Sequence, residues 1–443
     1  MSPRPRTKTS PTGGLPPRHL FLLLTSAFLF RLFYGLCSEI WFIDQRQVYL
    51  IGLKFFCTGQ WPFFGADVAP GIQLPGALQG LVVGVPLMLL PIPEAPYLFL
   101  NILSFAGLAL FGWYCTKRLP RFPAWIIYGW LLTAPWTLHW STNIDNDSYT
   151  LFASCLFFMG FLETIPALRR GVIGGSLSNA FMGFGFFWSV QFHMSYVLLV
   201  PFLLYSAYSQ WKAGARGFDG PGGFLAGSFL SGIFLLPTLW VYGLHQGTGG
   251  AGNAVTFNPG NIPDLPLILV RFLFLASAEV PRFLGAHTGD RLEFLRQNIL
   301  LAPLAVLTAL LGLLQAVGLA IGWFRQKTHE KDWPAVKKLA LGTVLLVYAS
   351  FLFAIKPPAS HTYYLTLPVA MLYGFHVYSS WTGKKWFLAL AKLLLVANIF
   401  FHAGLAIHDQ PVKSLYKDRG TFTKAIAEKN YHGLGERRPD TLY

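Results

Sequence analysis

Apolar runs of roughly 17 to 26 residues recur along almost the whole chain, parted by short stretches rich in Gly, Pro and basic residues. A helix needs about 20 apolar residues to cross a ~30 Å hydrocarbon core, so these runs read as membrane spans. They fall at 19–37, 96–116, 122–140, 148–166, 173–191, 194–210, 223–244, 299–324, 337–355, 362–379 and 386–405, about eleven in all. Backbone polar groups in lipid must be satisfied within the segment, and the runs lack the alternation of a membrane barrel. The pattern therefore predicts an all-α polytopic membrane protein.

Charge sets the orientation. The formal charge of +15 would suggest nucleic acid in a soluble protein, but here the basic residues sort by side. Arg4, Arg6, Lys8 and Arg18 precede the first run, and Lys117, Arg118, Arg121, Arg169, Arg170, Lys212, Arg216, Arg325, Lys331, Lys337, Lys338, Lys384 and Lys385 fill alternate connections. With Lys327, eighteen of the thirty-four basic residues lie in short segments on one side, the cytoplasmic side by the positive-inside rule. Two further apolar pieces, 75–91 and 265–278, would invert every later connection if either crossed alone. Both read as re-entrant or interfacial helices, the first interrupted by Gly84 and Pro86 and the second carrying Arg271.

These boundaries predict a basic cytoplasmic N-terminus over 1–18, a membrane domain over 19–407, and a short polar external tail over 408–443. The outer loops are 38–95 with interfacial helices, 141–148, and 245–298, whose Gly- and Pro-rich start over 245–263 reads as a lid or a plain connector. Composition agrees, with 53% hydrophobic residues, 12% charged residues and a mean hydropathy of +0.47. No internal repeat, soluble domain or nucleotide-binding glycine motif is present. The four cysteines form no CxxC pair; Cys37 and Cys57 share the outer side, where a disulfide is an alternative to two ordinary apolar thiols.

With this orientation the outer side collects the candidate chemistry: Glu39 and Asp44 in the first loop, Asp145 and Asp147 in STNIDNDSYT, His193 at a helical turn, and Lys356 to Tyr364 in KPPASHTYY. Asp44 sits in a Trp- and Phe-rich segment that would dehydrate it and favour a base, whereas Asp145 could simply cap the following helix. Lys356, His361, Tyr363 and Tyr364 could hold a phosphate at headgroup level or form an aromatic belt with a flanking lysine. Arg31, inside the first span, calls for a partner or a function unless it snorkels.

In order and sidedness these residues resemble a family. Arg31, then Asp44 with Tyr49 and Gly59, the stretch QLPGALQGLVVGVPL, the basic TKRLPR, an Asp before the fourth span, and Lys356 followed by YYLTLP look like the GT-C class of membrane glycosyltransferases. The pattern is similar to the protein O-mannosyltransferase and lipid A aminoarabinose transferase group, over about residues 20–380. Family members often show Asp-Glu where this chain has Asp44-Gln45. The resemblance implies inverting transfer of a sugar from a polyprenyl-phosphate donor to a hydroxyl on a membrane-associated or secreted acceptor, at the outer face of a multi-pass membrane protein, most simply the bacterial inner membrane. It implies Asp44 as the base, Asp145 or Asp147 as a group that orients the acceptor or holds a divalent metal, and Lys356, His361, Tyr363, Tyr364 and Arg271 around the donor phosphate. Glu39, Tyr49 and His193 complete the candidates. The partners are then lipid donor, acceptor and bilayer, with no nucleic acid. A transporter or flippase of a lipid-linked saccharide is the rival reading; it would show paired broken helices or repeat symmetry near the midplane.

Overall fold

The computed structural model describes residues 15–38, 43–69, 72–243, 256–285, 287–325, 330–355, 359–412 and 414–434. Helix α1, Pro17–Ser38, leads into α2, Ile43–Thr58, a short antiparallel hairpin of β1, Phe64–Ala69, and β2, Ile72–Pro75, and then α3, Leu78–Leu89. The hairpin pairs Phe64 with Pro75 and Asp67 with Gln73. Next come α4, Ala95–Arg118; the broken pair α5, Ala124–Thr133, and α6, Pro135–Thr142; α7, Thr150–Thr164; α8, Gly175–Phe192; α9, Val200–Lys212; α10, Pro221–Gly232; and α11, Leu236–Tyr242. The second half holds α12, Leu265–Leu275; α13, Pro281–Leu284; α14, Thr288–Gln297; α15, Ala302–Arg325; α16, Trp333–Phe351; α17, Leu367–Ser379; α18, Lys385–Asp409; and α19, Leu415–Ala427.

Among the described residues, six helices are long and apolar enough to cross a membrane: Pro17–Ser38, Ala95–Arg118, Pro221–Tyr242, Ala302–Arg325, Trp333–Phe351 and Lys385–Asp409. The chain is an integral membrane protein. The remaining apolar runs also coincide with helical segments, several of them shortened by a break or continued by a 3-10 turn. Close approach of backbones holds part of the bundle. A Cβ on Gly183 of α8 would meet the Phe224 carbonyl oxygen at 2.1 Å, and one on Gly227 of α10 the Ala180 carbonyl oxygen at 1.9 Å, so only glycine lets these helices pack.

The two apolar pieces set apart in the sequence correspond to the short helices α3 and α12. Gln79 at the start of α3 donates to the carbonyls of Gln191 and Phe192 at the end of α8, at 3.0 and 3.2 Å. Glu94, five residues after α3, pairs with Arg419, beside α1 and α2. Asn261 donates to the Phe351 carbonyl at the end of α16, the Ala276 carbonyl accepts from Trp130 in the interior, and Phe283 meets His402 near the end of α18.

At the opposite, basic end a dry ionic cluster ties helices together. Asp332 accepts from Arg118 Nη2 and Arg170 Nη2, each at 2.5 Å, and faces His376 Nε2 at 3.3 Å. Arg118 also donates to Tyr114, whose hydroxyl donates to Glu163, so α4, α7, α16 and α17 share one network. Burial opposes ionisation of Asp332, but the hydrogen bonds from His376 and Arg170 outweigh it, and the carboxyl is held well below the usual range.

Part of the polar C-terminal segment is structured. Residues 415–427 form α19, which buries Leu415, Phe422, Ala425 and Ile426 on one face. Phe422 packs edge-on to Tyr49 at 5.1 Å and Arg419 bridges to Glu94, so the helix straps α2 and α3 to the bundle. All four cysteines are free thiols, which settles Cys37 and Cys57 as unpaired.

Candidate active site

The second loop, 143–149, is a buried polar segment. Asp145 is 7% exposed, Asp147 3%, and Ser148 is fully covered. Asp145 caps no helix: one carboxylate oxygen accepts from its own neighbour, the Asn146 N–H, at 2.6 Å, and the other accepts from the Gln45 amide of α2 at 2.5 Å. The start of α7 is served instead by the Asp147 carbonyl, which accepts from the Thr150 N–H and hydroxyl. The N-cap position of α7 is Tyr149, and no side-chain cap hydrogen bond is made there. Gln45 stands where the resembled family often has Glu; its amide supplies a donor that a second carboxylate would lack.

The loop is positioned by a break in the helix before it. Pro135 has no N–H to continue α5, and Ala134 is extended (φ −61°, ψ 146°), which exposes helix-end carbonyls. Arg31 answers them. Its guanidinium donates to the carbonyls of Leu132 and Thr137 at 3.1 and 3.0 Å and to the hydroxyls of Ser104 and Ser141 at 2.9 and 2.8 Å. It is fully buried, so it does not snorkel; it clamps α1 to the broken helix that delivers the loop. Tyr364 lies beside Ser141, in the field of Arg31 and Asp147.

The 3-10 turn Ser360–Thr366 forms the facing wall, tied to α7 by the Ser154 hydroxyl on the Leu365 carbonyl. His361 lies against Trp140 with ring centroids 5.5 Å apart, and it is close enough to His193 to act on it electrostatically. Burial, with His361 adding to it, pushes the His193 imidazole down to about 3, so it is neutral at physiological pH. His193 Nδ1 accepts from the Ser195 N–H at 3.1 Å, which places the ring proton on Nε2. Around this region Trp140 Nε1, Asn143 Oδ1, Ser148 Oγ and Ser360 Oγ are buried without a hydrogen-bond partner. Such atoms are costly unless water or a ligand meets them.

The structure thus brings Asp145, Asp147, His193, His361 and Tyr364 into one neighbourhood with α2. Tyr363 is buried against Phe351 in the same turn. Tyr49 is placed elsewhere: its hydroxyl donates to the Pro93 carbonyl at 3.4 Å and its ring packs on Phe422, a packing role. Arg271 lies on α12. Glu39, Lys356 and the 245–255 part of the lid segment fall outside the described residues, as does the side chain of Asp44, whose backbone belongs to α2. Among the described residues no three His, Cys, Asp or Glu side chains stand together as metal ligands. The described donors therefore do not by themselves fit a divalent ion.

No family model and no curated protein matches the sequence. Solved structures do. The structure of ArnT from Cupriavidus metallidurans bound to undecaprenyl phosphate superimposes with a TM-score of 0.50 at 11% identity, over 95% of this chain and 76% of that one. The chain has a GT-C fold. The apo form of the same ArnT (TM-score 0.46, 12% identity, 94% and 76% covered) and an Archaeoglobus fulgidus oligosaccharyltransferase complex with Zn and sulfate (0.45, 12%, 88% and 53%) are further matches. At such identities the likeness is one of architecture.

Reasoning from the sequence missed Gln45 and Trp140. Gln45 was readable only as a departure from an acidic pair, and its amide acquires meaning through the contact with Asp145. Trp140 lies inside an apolar run, where nothing separates an indole facing a site from one facing lipid.

Proposed function

We propose that this protein is an inverting glycosyltransferase that moves a sugar from a polyprenyl-phosphate donor to an acceptor hydroxyl at the outer face of the bacterial inner membrane. The observation that carries the reading is the hydrogen bond from Gln45 of α2 to Asp145, which joins the first and second loops at a buried carboxylate. The GT-C fold and the ArnT likeness support it, and eleven crossings with the basic loops inside give it its sidedness.

In this reading the acceptor oxygen attacks the anomeric carbon, its proton passes to the Asp44 carboxylate, and the bond from the anomeric carbon to the phosphate oxygen breaks with its electron pair leaving on the phosphate. Asp145, with Asp147 beside it, orients the acceptor. Lys356 and His361, with Tyr363 and Tyr364, are assigned to the departing phosphate, where fixed donors are most effective away from water; Arg271 is the next candidate for that role, and Glu39 and His193 are assigned to the approach. A single displacement inverts the anomeric configuration. No step needs a nucleotide.

The test supplies membranes with a radiolabelled polyprenyl-phosphate sugar and follows label into the acceptor fraction. Asp44→Asn should insert normally and abolish transfer; substantial remaining activity would reassign the base. Movement of intact donor between leaflets without transfer would favour the flippase. Sidedness is read at Thr423, exposed on α19: Thr423→Cys in a Cys57→Ser background should react with an impermeant thiol reagent from outside, and reaction only after permeabilisation would invert the topology.

A further inference from the structure

A second polar cleft lies one helical face away from the Gln45–Asp145 contact. Arg46, Tyr49 and Leu50 stand at i, i+3 and i+4 on α2, and they face Asp418, Thr421 and Phe422 of α19 across a cavity of about 180 Å³. Its chemistry is mixed. Tyr49 and Phe422 are buried and form an apolar floor, while Arg46 is half-buried and Asp418 and Thr421 are exposed at the rim. Arg46 and Asp418 line the same space, yet among the described residues neither makes an ion pair or side-chain hydrogen bond.

Opposite charges facing one cavity without closing on each other leave a five-donor guanidinium fork and a carboxylate acceptor both presented to a guest. Neighbouring pairs behave otherwise: one residue on, Arg419 closes on Glu94 at 2.5 Å. The volume is below the ~300 Å³ at which pockets for drug-sized ligands begin, which suits one small ring. A neutral ring rich in hydroxyls, with an apolar face for the floor, is the guest that uses every wall at once.

We propose that the cleft between α2 and α19 is a binding site for a single sugar residue, distinct from the reaction centre and placed to hold the acceptor glycan one residue back from the attacking hydroxyl. Arg46 donates to the ring hydroxyls, Asp418 accepts from them, and Thr421 does either; Tyr49, Leu50 and Phe422 take the C–H face. The choice of an acceptor sugar rests on the function proposed above, but occupancy of the cleft does not require turnover.

The experiment is saturation-transfer NMR on the full-length protein in detergent, with a panel of methyl hexopyranosides at millimolar concentration. Wild type should bind at least one, and Arg46→Gln and Asp418→Asn should each weaken that binding about tenfold, the loss of one charge-assisted hydrogen bond. Asp44→Asn should leave it unchanged, which separates the cleft from the reaction centre. Binding that survives Arg46→Gln/Asp418→Asn, or is lost in Asp44→Asn, or is absent from wild type with the whole panel, overturns the assignment. Both substituted side chains are at the rim, and an unchanged melting temperature shows that the helices still dock. A transfer assay run in parallel reads the proposed function independently: transfer without cleft binding retires the cleft alone.

Discussion

Replacing Asp332 by Asn tests whether the basic end holds the helices that carry the site. Asp332 is 4% exposed at its side chain, Arg118 is not exposed at all, and Arg170 is 25% exposed. The amide keeps the shape but removes the charge, and turns an NH₂ toward donors. Arg118 is then left with Glu163 at 3.5 Å as its remaining ionic partner. Breaking one side of a buried pair costs about 3–5 kcal/mol, and the partial exposure of Arg170 favours the lower half of that range. For a chain of this length the size scaling of unfolding entropy gives about 1–2 °C per kcal/mol, so a fall of about 5 °C is expected. Thermal unfolding in detergent, followed by tryptophan fluorescence, measures it. The pH dependence adds a sign. A carboxyl whose pKa is depressed on folding stabilises above its unfolded value and loses that contribution as pH falls through the folded one. The gap between wild type and Asp332→Asn should therefore stay constant from pH 8 to about 5 and close only at pH below about 4. A variant that melts within about 1 °C of wild type, or a gap that closes near pH 6, would refute the reasoning, since it would mean that the cluster is solvated.

Gln45→Leu removes the donor to Asp145 without adding charge; it should lower kcat/KM for transfer about 10- to 100-fold at unchanged expression, and a loss below twofold would show that the contact does not order the site. Phe422→Ala takes a buried ring from between α19 and Tyr49, which should cost about 3–4 kcal/mol locally and show as faster amide exchange in α2; unchanged exchange would mean that α19 does not brace it. His193 has a folded pKa of about 3, below the usual histidine value, so the folded state loses stability relative to the unfolded one as pH falls below about 6.5. His193→Gln should flatten the acid side of the stability profile between about pH 6.5 and 4, and an unchanged profile would mean that the imidazole is open to water.

The hydrophobic pattern by itself determined the class of fold, because lipid enforces one rule on every segment: an apolar run of sufficient length must satisfy its own backbone as a helix. Charge sorting then set α3 and the 265–278 piece apart from crossing helices as an expectation. The same physics hides what an apolar run does inside the bundle. The break at Pro135 was legible only as a proline, since Arg31's role depends on carbonyls that the break exposes a hundred residues away. The C-terminal 415–427 segment is polar overall, and its few apolar residues count only once α2 is there to cover them. Asp145 could equally have capped a helix or faced a substrate as a letter in NIDND; the Gln45 amide that meets it was not legible there, because a hydrogen bond between residues a hundred positions apart is a property of packing and not of composition. Sequence determined which segments enter the membrane; tertiary contact alone decided which polar groups meet there, since burial sets each group's cost and only a neighbour from elsewhere in the chain can offset it.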